Sequence, residues 1–261
     1  MKFSVAIPAY KAAFLAEAVA SVLAQTWADF ELVIVDDASP EDLPAVLAPF
    51  LGDARVRYSR NAENTGAENV VDNWNRCLAL CRGDYVICMG DDDRLLPTCL
   101  ADYAAVMETY PDLGVYHART ELIDGTGKSL GCLAARPACE SSLEMLLGRW
   151  QGRQQYIGDF CFATALLRAG GGFYKLPLAW GSDDISAYRA AKGDGGRFRD
   201  GIAETPRPAF QYRISDRTIT SGGRYPLKWE AMSRMSAWFA EDLAARRPAT
   251  AEEAVLLERV R

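Results

Sequence analysis

The chain has 261 residues, of which 49% are hydrophobic and 25% charged, the composition of an ordinary globular protein. A net charge of −6 argues against an extended nucleic-acid interface, so no nucleic acid is expected as a partner. The seven cysteines are odd in number and lack CxxC or Cys/His metal spacing, which predicts free thiols in a reducing, cytoplasmic compartment. Met1 leads straight into a strand-like segment and no apolar run is long enough to span a bilayer, so neither a signal peptide nor a transmembrane segment is expected.

The first 120 residues alternate between short apolar segments typical of strands and longer segments with helical spacing of apolar residues. Strands are predicted at residues 3–7, 30–35, 56–58, 85–89 and 115–118, and helices at 12–25, 42–50, 67–82 and 97–110. This alternation predicts an α/β fold with a Rossmann-like, mainly parallel sheet flanked by helices on both faces. Ligands of such sheets bind beyond the carboxyl ends of the strands. Polar residues stand at three of these ends, namely Tyr10-Lys11, Asp36-Asp37 and residues 91–93.

The second half of the chain is less regular. A turn at residues 125–128 predicts a hairpin tip, and Ser141 with Glu144 forms a capping-box pattern that opens a short helix. A further helix is predicted at 183–192. After the glycine pair at 222–223, a C-terminal helical region carries large apolar residues that either pack on the domain or contact a membrane or another subunit. These residues are Trp229, Met232, Met235, Trp238 and Phe239.

Gly90 leads from the strand at 85–89 into three consecutive aspartates, Asp91, Asp92 and Asp93. Adjacent carboxylates repel one another, and aspartate disfavours strands. Three of them at the end of a strand therefore suggest a divalent cation that offsets the repulsion. Carboxylate oxygens suit Mg²⁺ and Mn²⁺, which often hold substrate phosphates as well. A solvated acidic turn is the simpler interpretation, which an isolated triple aspartate would favour.

Five motifs follow one another along residues 2–215. They are Pro8-Ala9-Tyr10 after the first strand, S-V-L-A-Q-T at 21–26, E-L-V-I-V-D-D-A-S at 31–39, N-T-G at 64–66, and G-D-Y at 83–85 followed by the aspartates. In this order and spacing they resemble the inverting family 2 glycosyltransferases, which have the GT-A fold. The resemblance implies a nucleotide-sugar-binding half at 1–120 and an acceptor-binding, catalytic half at 121–215 within one GT-A domain. Residues 216–261 are then expected to form a C-terminal helical region.

The resemblance also implies a set of residues around the nucleotide. Tyr10 offers a ring and a hydroxyl to a base or ribose, although an ordinary turn explains it equally well. Asp37 is expected to accept from a ribose hydroxyl or from a base N–H such as that of uracil, and it is preferred to Asp36. Gly66 allows a close approach or a helix start, and Asn69 stands where some members have a basic residue near the base. The full expected set is Pro8, Ala9, Tyr10, Asp37, Gly66, Asn69, Asp91 and Asp92.

The aspartate cluster aligns with a metal site in that family. Many members read Asp-x-Asp-Asp here, and this chain has Gly90 at the first position. Asp92 is therefore the expected ligand of the cation and the diphosphate, Asp91 is expected to face the ribose or the metal, and Asp93 is the alternative metal ligand. The expected cofactor is Mn²⁺ or Mg²⁺, which neutralises charge on a leaving nucleoside diphosphate. Lys11 is a further departure, because asparagine is usual after the tyrosine.

A transferase of this type also needs a general base that takes the proton of the acceptor hydroxyl. Family members place it at the first acid of a Glu/Asp-Asp pair that starts a helix, which resembles Asp183-Asp184. Asp183 is the expected base, although Ser182 and both aspartates are also favourable helix-start residues through capping and the helix dipole alone. Residues 212–220 resemble a family loop that helps to close the site. Within it, Arg213 is expected either on the diphosphate or in a surface ion pair.

Together these features predict an inverting, metal-assisted transfer of a sugar from a UDP-sugar to a hydroxyl of a glycan or lipid-linked acceptor. The main alternative is a nucleotide-sugar-binding protein with a degenerate site, because Gly90, Asn69 and Ser215 depart from the family pattern. A nucleotidyltransferase is less favoured, since no glycine-rich loop follows the first strand. The expected setting is polysaccharide synthesis for the cell envelope in the cytoplasm. Contact with the inner face of the membrane and self-association are left open.

Overall fold

The computed structural model describes residues 1–215 and 224–261. The end of the predicted site-closing loop, up to Thr220, and the glycine pair at 222–223 lie outside the described residues. Within the described part, the strands are β1 (Phe3–Ala9), β2 (Phe30–Asp36), β3 (Val56–Arg60), β4 (Tyr85–Cys88), β5 (Arg94–Leu95), β6 (Val115–Ile123), β7 (Ser129–Cys132), β8 (Cys139–Glu140), β9 (Phe160–Ala163) and β10 (Ile202–Arg213). The helices are α1 (Leu15–Leu23), α2 (Leu43–Leu47), α3 (Val70–Leu80), α4 (Cys99–Thr109), α5 (Ser142–Trp150), α6 (Thr164–Ala169), α7 (Ser182–Ala191), α8 (Tyr225–Ala245) and α9 (Ala251–Val260).

These strands form one sheet in the order β3-β2-β1-β4-β9-β6-β10-β5, with β7 paired to β6 and β8 paired to β10. Strands β3, β2, β1 and β4 are mutually parallel, and β6 is parallel to β10. Strand β9 lies antiparallel between β4 and β6, so β4 and β6 run in the same direction. The sheet is therefore mainly parallel, as predicted, and the carboxyl ends of β1, β2 and β4 meet at one edge.

Alternating side chains of the central strands pack into two cores, one on each face of the sheet. Val5 and Ile7 of β1 pack with buried residues of α1 and α4. Ala6 of the same strand and Val33 of β2 pack instead with α3 and α7. This arrangement explains why the strands are apolar throughout, and it confirms the predicted α/β fold with helices on both faces.

The second half contains strands that the sequence pattern did not predict. Strand β9 has only four residues, Phe160–Ala163, which is too short for a readable period. Strand β10 contains Pro206 and Pro208, and proline argues against a strand because it lacks the donor for ladder hydrogen bonds. The pairing of β10 with β6 shifts register on either side of Pro208, so the irregularity is absorbed at that residue.

Gly83 of the G-D-Y motif is required by packing. A Cβ at this position would lie 2.6 Å from the backbone nitrogen of Ser4 and 2.7 Å from the carbonyl carbon of Phe3. The next residue, Asp84, accepts a hydrogen bond from the backbone N–H of Lys2 at 2.8 Å. The motif therefore joins the end of α3 to the start of β1, which makes it a feature of the fold.

All seven cysteines are free thiols, and five of them are buried in the two cores. His117 of β6 is buried, with Nε2 3.2 Å from Asp159 and Nδ1 3.2 Å from Glu204. No helix among the described residues is both long and apolar enough to cross a bilayer.

Candidate active site

The carboxyl ends of β1, β2 and β4 open into a cavity of about 940 Å³. Its wall runs from Pro8 and Asp37 in the first half of the chain to Asp183 at the start of α7. The lining also includes residues after β4, before β9, before α7 and on α8, among them Asp91, Asp92, Asp93, Tyr156, Trp180 and Met235. The fold thus brings residues from both predicted halves of the domain to one cavity.

The turn after β1 places two of its three predicted nucleotide residues on the cavity wall. Pro8 and Tyr10 line the cavity, and Tyr10 is 42% exposed, so a ligand can reach its ring and hydroxyl. Ala9 is fully buried, and its carbonyl accepts a hydrogen bond from the backbone N–H of Asp37. Ala9 therefore joins the ends of β1 and β2 through its backbone.

Asp37 lines the cavity and also organises the loop after β3. Its carboxylate accepts hydrogen bonds from the Asn61 side chain at 2.7 Å and from the hydroxyl of Thr65 at 2.5 Å. The backbone N–H of Thr65 donates to it at 3.1 Å, and Asn64 donates to the backbone carbonyl of Asp37 at 2.6 Å. Several of its acceptor positions are thus filled by protein, so Asp37 has a structural role in addition to its predicted role with the nucleotide.

Asp36, the first aspartate of the pair, is fully buried. It accepts hydrogen bonds from the hydroxyl of Tyr58 at 2.8 Å and from Arg60 at 2.5 Å, and the backbone N–H of Ser39 donates to it at 2.8 Å. All of these partners come from the neighbouring strand or the following turn. Asp36 therefore fixes the end of β2 and does not line the cavity.

The N-T-G motif contributes two residues to the cavity, Asn64 and Gly66. Gly66 lines it and has a φ of +76°, a backbone conformation that favours glycine. Asn69 does not line the cavity, and its side chain donates back to the carbonyl of Thr65 at 3.3 Å. In this conformation Asn69 stabilises the 3₁₀ turn before α3, and its role in base recognition stays a prediction.

The three aspartates after β4 have different surroundings. Asp91 is buried and accepts from the backbone N–H groups of Tyr10 and Lys11, each at 2.7 Å. Burial, together with the neighbouring charge of Asp92, raises the pKa of Asp91 to about 6. Burial also raises the pKa of Asp93 well above its usual range, and the charges of Asp92 and Asp91 add to this. Ionisation of the whole cluster is therefore unfavourable in the free protein, and a bound cation would favour the ionised form of these carboxyls.

Arg213 determines where the aspartate cluster lies. Its side chain is fully buried, and its Nε donates to the backbone carbonyl of Asp92 at 2.7 Å. Its own backbone N–H donates to the carboxylate of Asp93 at 2.9 Å, and its guanidinium pairs with Glu17 at 2.6 Å. The expectation of a surface ion pair is therefore wrong. Arg213 acts as a buried support for the loop, because its side chain is fully buried and holds both Asp92 and Glu17.

The residues present fit a divalent cation that binds together with a diphosphate. Within residues 1–215 and 224–261, no group of three or more His, Cys, Asp or Glu side chains is arranged to hold a metal ion. A Cβ at Gly90 would lie 2.9 Å from a carboxylate oxygen of Asp92 and also of Asp93, so both side chains fold back over this glycine. Proteins commonly bind Mg²⁺ through one or two carboxylates, and phosphate oxygens of the substrate supply further ligands of the ion. Asp92 and Asp93 would hold such an ion.

The adjacent acids at the start of α7 have separate environments. Asp184 is buried and accepts from Arg149 at 2.6 Å and from Gln155 at 2.7 Å, so it belongs to an ion-paired network. Asp183 lines the cavity, and its carboxylate accepts a hydrogen bond from the backbone of Asp184. Burial, and then the charge of Asp184, raises the pKa of Asp183 well above its usual range. Of the two acids, Asp183 is the one placed to accept a proton from a ligand.

Sequence reasoning did not identify the segment that positions Asp183. Leu178 and Ala179 both have positive φ, at +59° and +55°, and Gly181 follows at +85°. Non-glycine residues in this region are strained, and such strain is held by surrounding contacts. A Cβ at Gly181 would lie 2.4 Å from the sulfur of Met235 on α8, so α8 packs directly on this turn. The sequence did not predict this turn because leucine and alanine are not residues that usually adopt a left-handed backbone conformation.

The apolar residues of α8 divide between core and surface. Phe239 is buried and Trp238 packs partly against the core. Met235 lines the cavity, as does Met232, which is 41% exposed, whereas Trp229 is 70% exposed. Packing on the domain therefore accounts for Phe239 and Trp238, whereas contact of the exposed residues with a membrane or another subunit stays a prediction.

A sequence model described as glycosyl transferase family 2 matches residues 4–168. The chain is 36% identical over 117 residues to the O-antigen biosynthesis protein RfbC of Myxococcus xanthus. The aligned segment covers 44% of this chain and 9% of RfbC. It is also 36% identical over 97 residues to a PGL/p-HBAD biosynthesis glycosyltransferase of Mycobacterium bovis, covering 36% of each chain. The chain thus spans well under half the length of these relatives.

Solved structures of TarS from S. aureus are similar in fold. Residues 1–349 of TarS in complex with UDP-GlcNAc superpose with a TM-score of 0.75 at 18% identity, covering 98% of this chain and 70% of that one. This match confirms the predicted GT-A-type architecture. The family model covers more than half of the chain, and its range includes the turn after β1, both aspartate motifs and the two strands between them, β3 and β4. The chain therefore belongs to glycosyl transferase family 2.

Proposed function

We propose that the chain is an inverting glycosyltransferase that moves the sugar of a UDP-sugar to a hydroxyl of a glycan or lipid-linked acceptor. One observation carries this proposal: a single cavity is lined both by the three aspartates after β4 and by Asp183 at the start of α7. The first group suits a nucleoside diphosphate with its cation, and the second suits proton abstraction. TarS, which has the same fold, has been solved with UDP and with UDP-GlcNAc, and this supports a uridine nucleotide as donor.

The reaction proposed is a single in-line displacement. Asp183 accepts the proton of the acceptor hydroxyl as the acceptor oxygen forms its bond to the anomeric carbon. The bond from that carbon to the diphosphate breaks, and its electron pair stays on the diphosphate oxygen. Because attack and departure occur on opposite faces, the anomeric configuration inverts. The raised pKa of Asp183 suits this role, since a stronger base takes the proton more readily.

The reaction also requires that negative charge on the leaving diphosphate be neutralised. A bound Mn²⁺ or Mg²⁺ would neutralise negative charge on the departing diphosphate. Asp92 and Asp93 are the residues proposed to hold the ion, and Arg213 keeps their loop in place through Asp92 and Asp93. Tyr10, Asp37 and Gly66 are proposed to contact the nucleoside from the β1 and β2 side.

The acceptor is proposed to approach from the side of α8. Tyr225 and Trp229 are 68% and 70% exposed, and Met232 lies one turn further along the same face and lines the cavity. Lys228 lies over the ring of Trp180 at 4.6 Å. Aromatic side chains beside basic ones suit a sugar or the headgroup region of a membrane. The name of RfbC, an O-antigen biosynthesis protein, agrees with an envelope glycan as the acceptor class.

A thermal-shift panel of nucleoside diphosphates and nucleotide-sugars, with and without Mn²⁺, tests the donor. A ligand at 100 times its Kd stabilises the native state by about 2.7 kcal/mol, so a genuine donor is easily seen. The donor identified is then incubated with a panel of acceptors, and NMR of the product reports the anomeric configuration. Retention of configuration, or stabilisation by no nucleotide, would refute the proposal. Tight binding with no turnover on any acceptor would favour the degenerate binding protein.

A further inference from the structure

Lys11 lies on the cavity side of the aspartate cluster. Its Nζ is 3.6 Å from Oδ2 of Asp92, and the two side chains are 28% and 15% exposed. The backbone N–H of Lys11 donates to Asp91 at 2.7 Å, so its main chain is held while its long side chain is free to move. Partly exposed ion pairs of this kind are weak, and the ammonium can exchange one anionic partner for another.

The nearby basic side chains of Arg213, Arg149 and Arg224 form no ion pair with the carboxylates of the cluster among the described residues. Arg213 is fully buried and is held by Glu17 and by the backbone of Asp92. Arg149 lines the cavity but pairs with Asp184 at 2.6 Å. Arg224 also lines the cavity, and it has no ion pair with the three aspartates, all of which the structure describes. Among the cavity residues that the structure describes, Lys11 is therefore the cation that pairs with Asp92, the predicted metal-binding carboxylate.

We propose that Lys11 is the counter-ion of Asp92 in the free protein and becomes a ligand of the donor diphosphate when a divalent cation binds Asp92. This inference rests on the proposed function, because it names a residue that would bind the diphosphate. An ammonium and a divalent cation repel one another, so they compete for the same carboxylate. Diphosphate oxygens in the same cavity give the displaced ammonium a new anionic partner.

Two effects of opposite sign follow from removing the ammonium. In Lys11→Met the competitor of the cation is lost, so Mn²⁺ should bind more tightly in the absence of nucleotide. The increase should be about 2- to 5-fold, the range that corresponds to an exposed ion pair. The same variant loses a charge-assisted contact to phosphate, so UDP should bind roughly 10-fold more weakly in the presence of saturating Mn²⁺. A merely structural role for Lys11 would weaken both ligands or neither.

The experiment uses the full chain and two direct binding measurements. The EPR signal of free Mn²⁺ gives the affinity for the metal alone, and calorimetry at saturating Mn²⁺ gives the affinity for UDP. Lys128→Met is the matched control, because this exposed lysine lies in the hairpin turn and its loss changes the net charge equally. Lys11→Arg retains the positive charge and should keep UDP affinity at saturating Mn²⁺ within about 3-fold of wild type. Circular dichroism checks that each variant is folded.

The expected result is tighter Mn²⁺ binding and weaker UDP binding in Lys11→Met, with neither change in Lys128→Met. Unchanged or weaker Mn²⁺ binding in Lys11→Met would overturn the competition with Asp92. Unchanged UDP affinity would overturn the contact with the diphosphate. If wild type binds UDP and Lys11→Met equals its control, only this inference fails. If wild type binds no nucleotide at all, the proposed function fails with it.

Discussion

Replacing Asp183 by asparagine should abolish sugar transfer and at the same time stabilise the protein at neutral to basic pH. Asparagine keeps the size of the side chain but cannot take up the acceptor proton, and loss of a general base costs about 10²- to 10⁴-fold in rate. The affinities for nucleotide and for Mn²⁺ should stay near wild type, because Asp183 belongs to the acceptor side of the cavity.

The gain in stability follows from the surroundings of Asp183. Burial and the adjacent charge of Asp184 raise its pKa in the folded protein, so the ionised form is less favourable there than in the unfolded chain. The wild-type side chain contributes its stabilisation below the ordinary pKa of aspartate, and this contribution is lost as the pH rises through the raised value. Asp183→Asn should therefore gain about 1–2 kcal/mol at pH 8 and little at pH 4. In a chain of this size, each kcal/mol corresponds to about 2–4 °C in Tm.

The neighbouring acid provides the control. Asp184→Asn removes the charge that Arg149 and Gln155 contact, so it should destabilise the protein by about 1–3 kcal/mol at pH 8. Transfer is measured with the donor and acceptor identified in the panel, and Tm is measured for both variants between pH 4 and pH 8. Near-normal transfer by Asp183→Asn would refute the assignment of Asp183 as the base, and a fall in its Tm at pH 8 would refute the raised pKa of Asp183.

Three further predictions concern the remaining parts of the site. Asp37→Ala should weaken UDP binding and also lower the free energy of unfolding by about 1–3 kcal/mol, because Asn61 and Thr65 lose their hydrogen-bond acceptor. Calorimetry measures the UDP affinity and urea unfolding measures the stability; unchanged UDP affinity per folded molecule would make Asp37 purely structural. Binding of Mn²⁺ alone should weaken as the pH falls through about 6, where Asp91 takes up a proton and the cluster loses negative charge; equal EPR-derived affinities at pH 5 and pH 7.5 would contradict this. Trp229→Ala should reduce the fraction of protein that sediments with vesicles containing anionic lipid, whereas the control Val255→Ala, at a residue 60% exposed on α9, should leave this fraction unchanged. Equal sedimentation of wild type and Trp229→Ala would refute membrane contact through Trp229.

Much of the first half could be predicted from the sequence because its signals are local. Largely apolar segments such as Phe30–Asp36 indicate a strand buried on both faces, because successive side chains pack alternately into the two cores. The polar residues that follow β1, β2 and β4 had to meet at one edge, because parallel strands carry their carboxyl ends to the same side. The order of motifs along residues 4–168 was enough to indicate the family.

Tertiary structure alone decided how similar residues differ in role. Asp183 and Asp184 are both favourable at a helix start, and only the packing of α5 and the following loop pairs Asp184 with Arg149 and Gln155. Arg213 lies 120 residues from Asp93 in the chain, so no local pattern could report that its backbone holds the aspartate loop. Long-range contacts of this kind depend on how complete elements pack, whereas periodicity and turn chemistry act within a few residues.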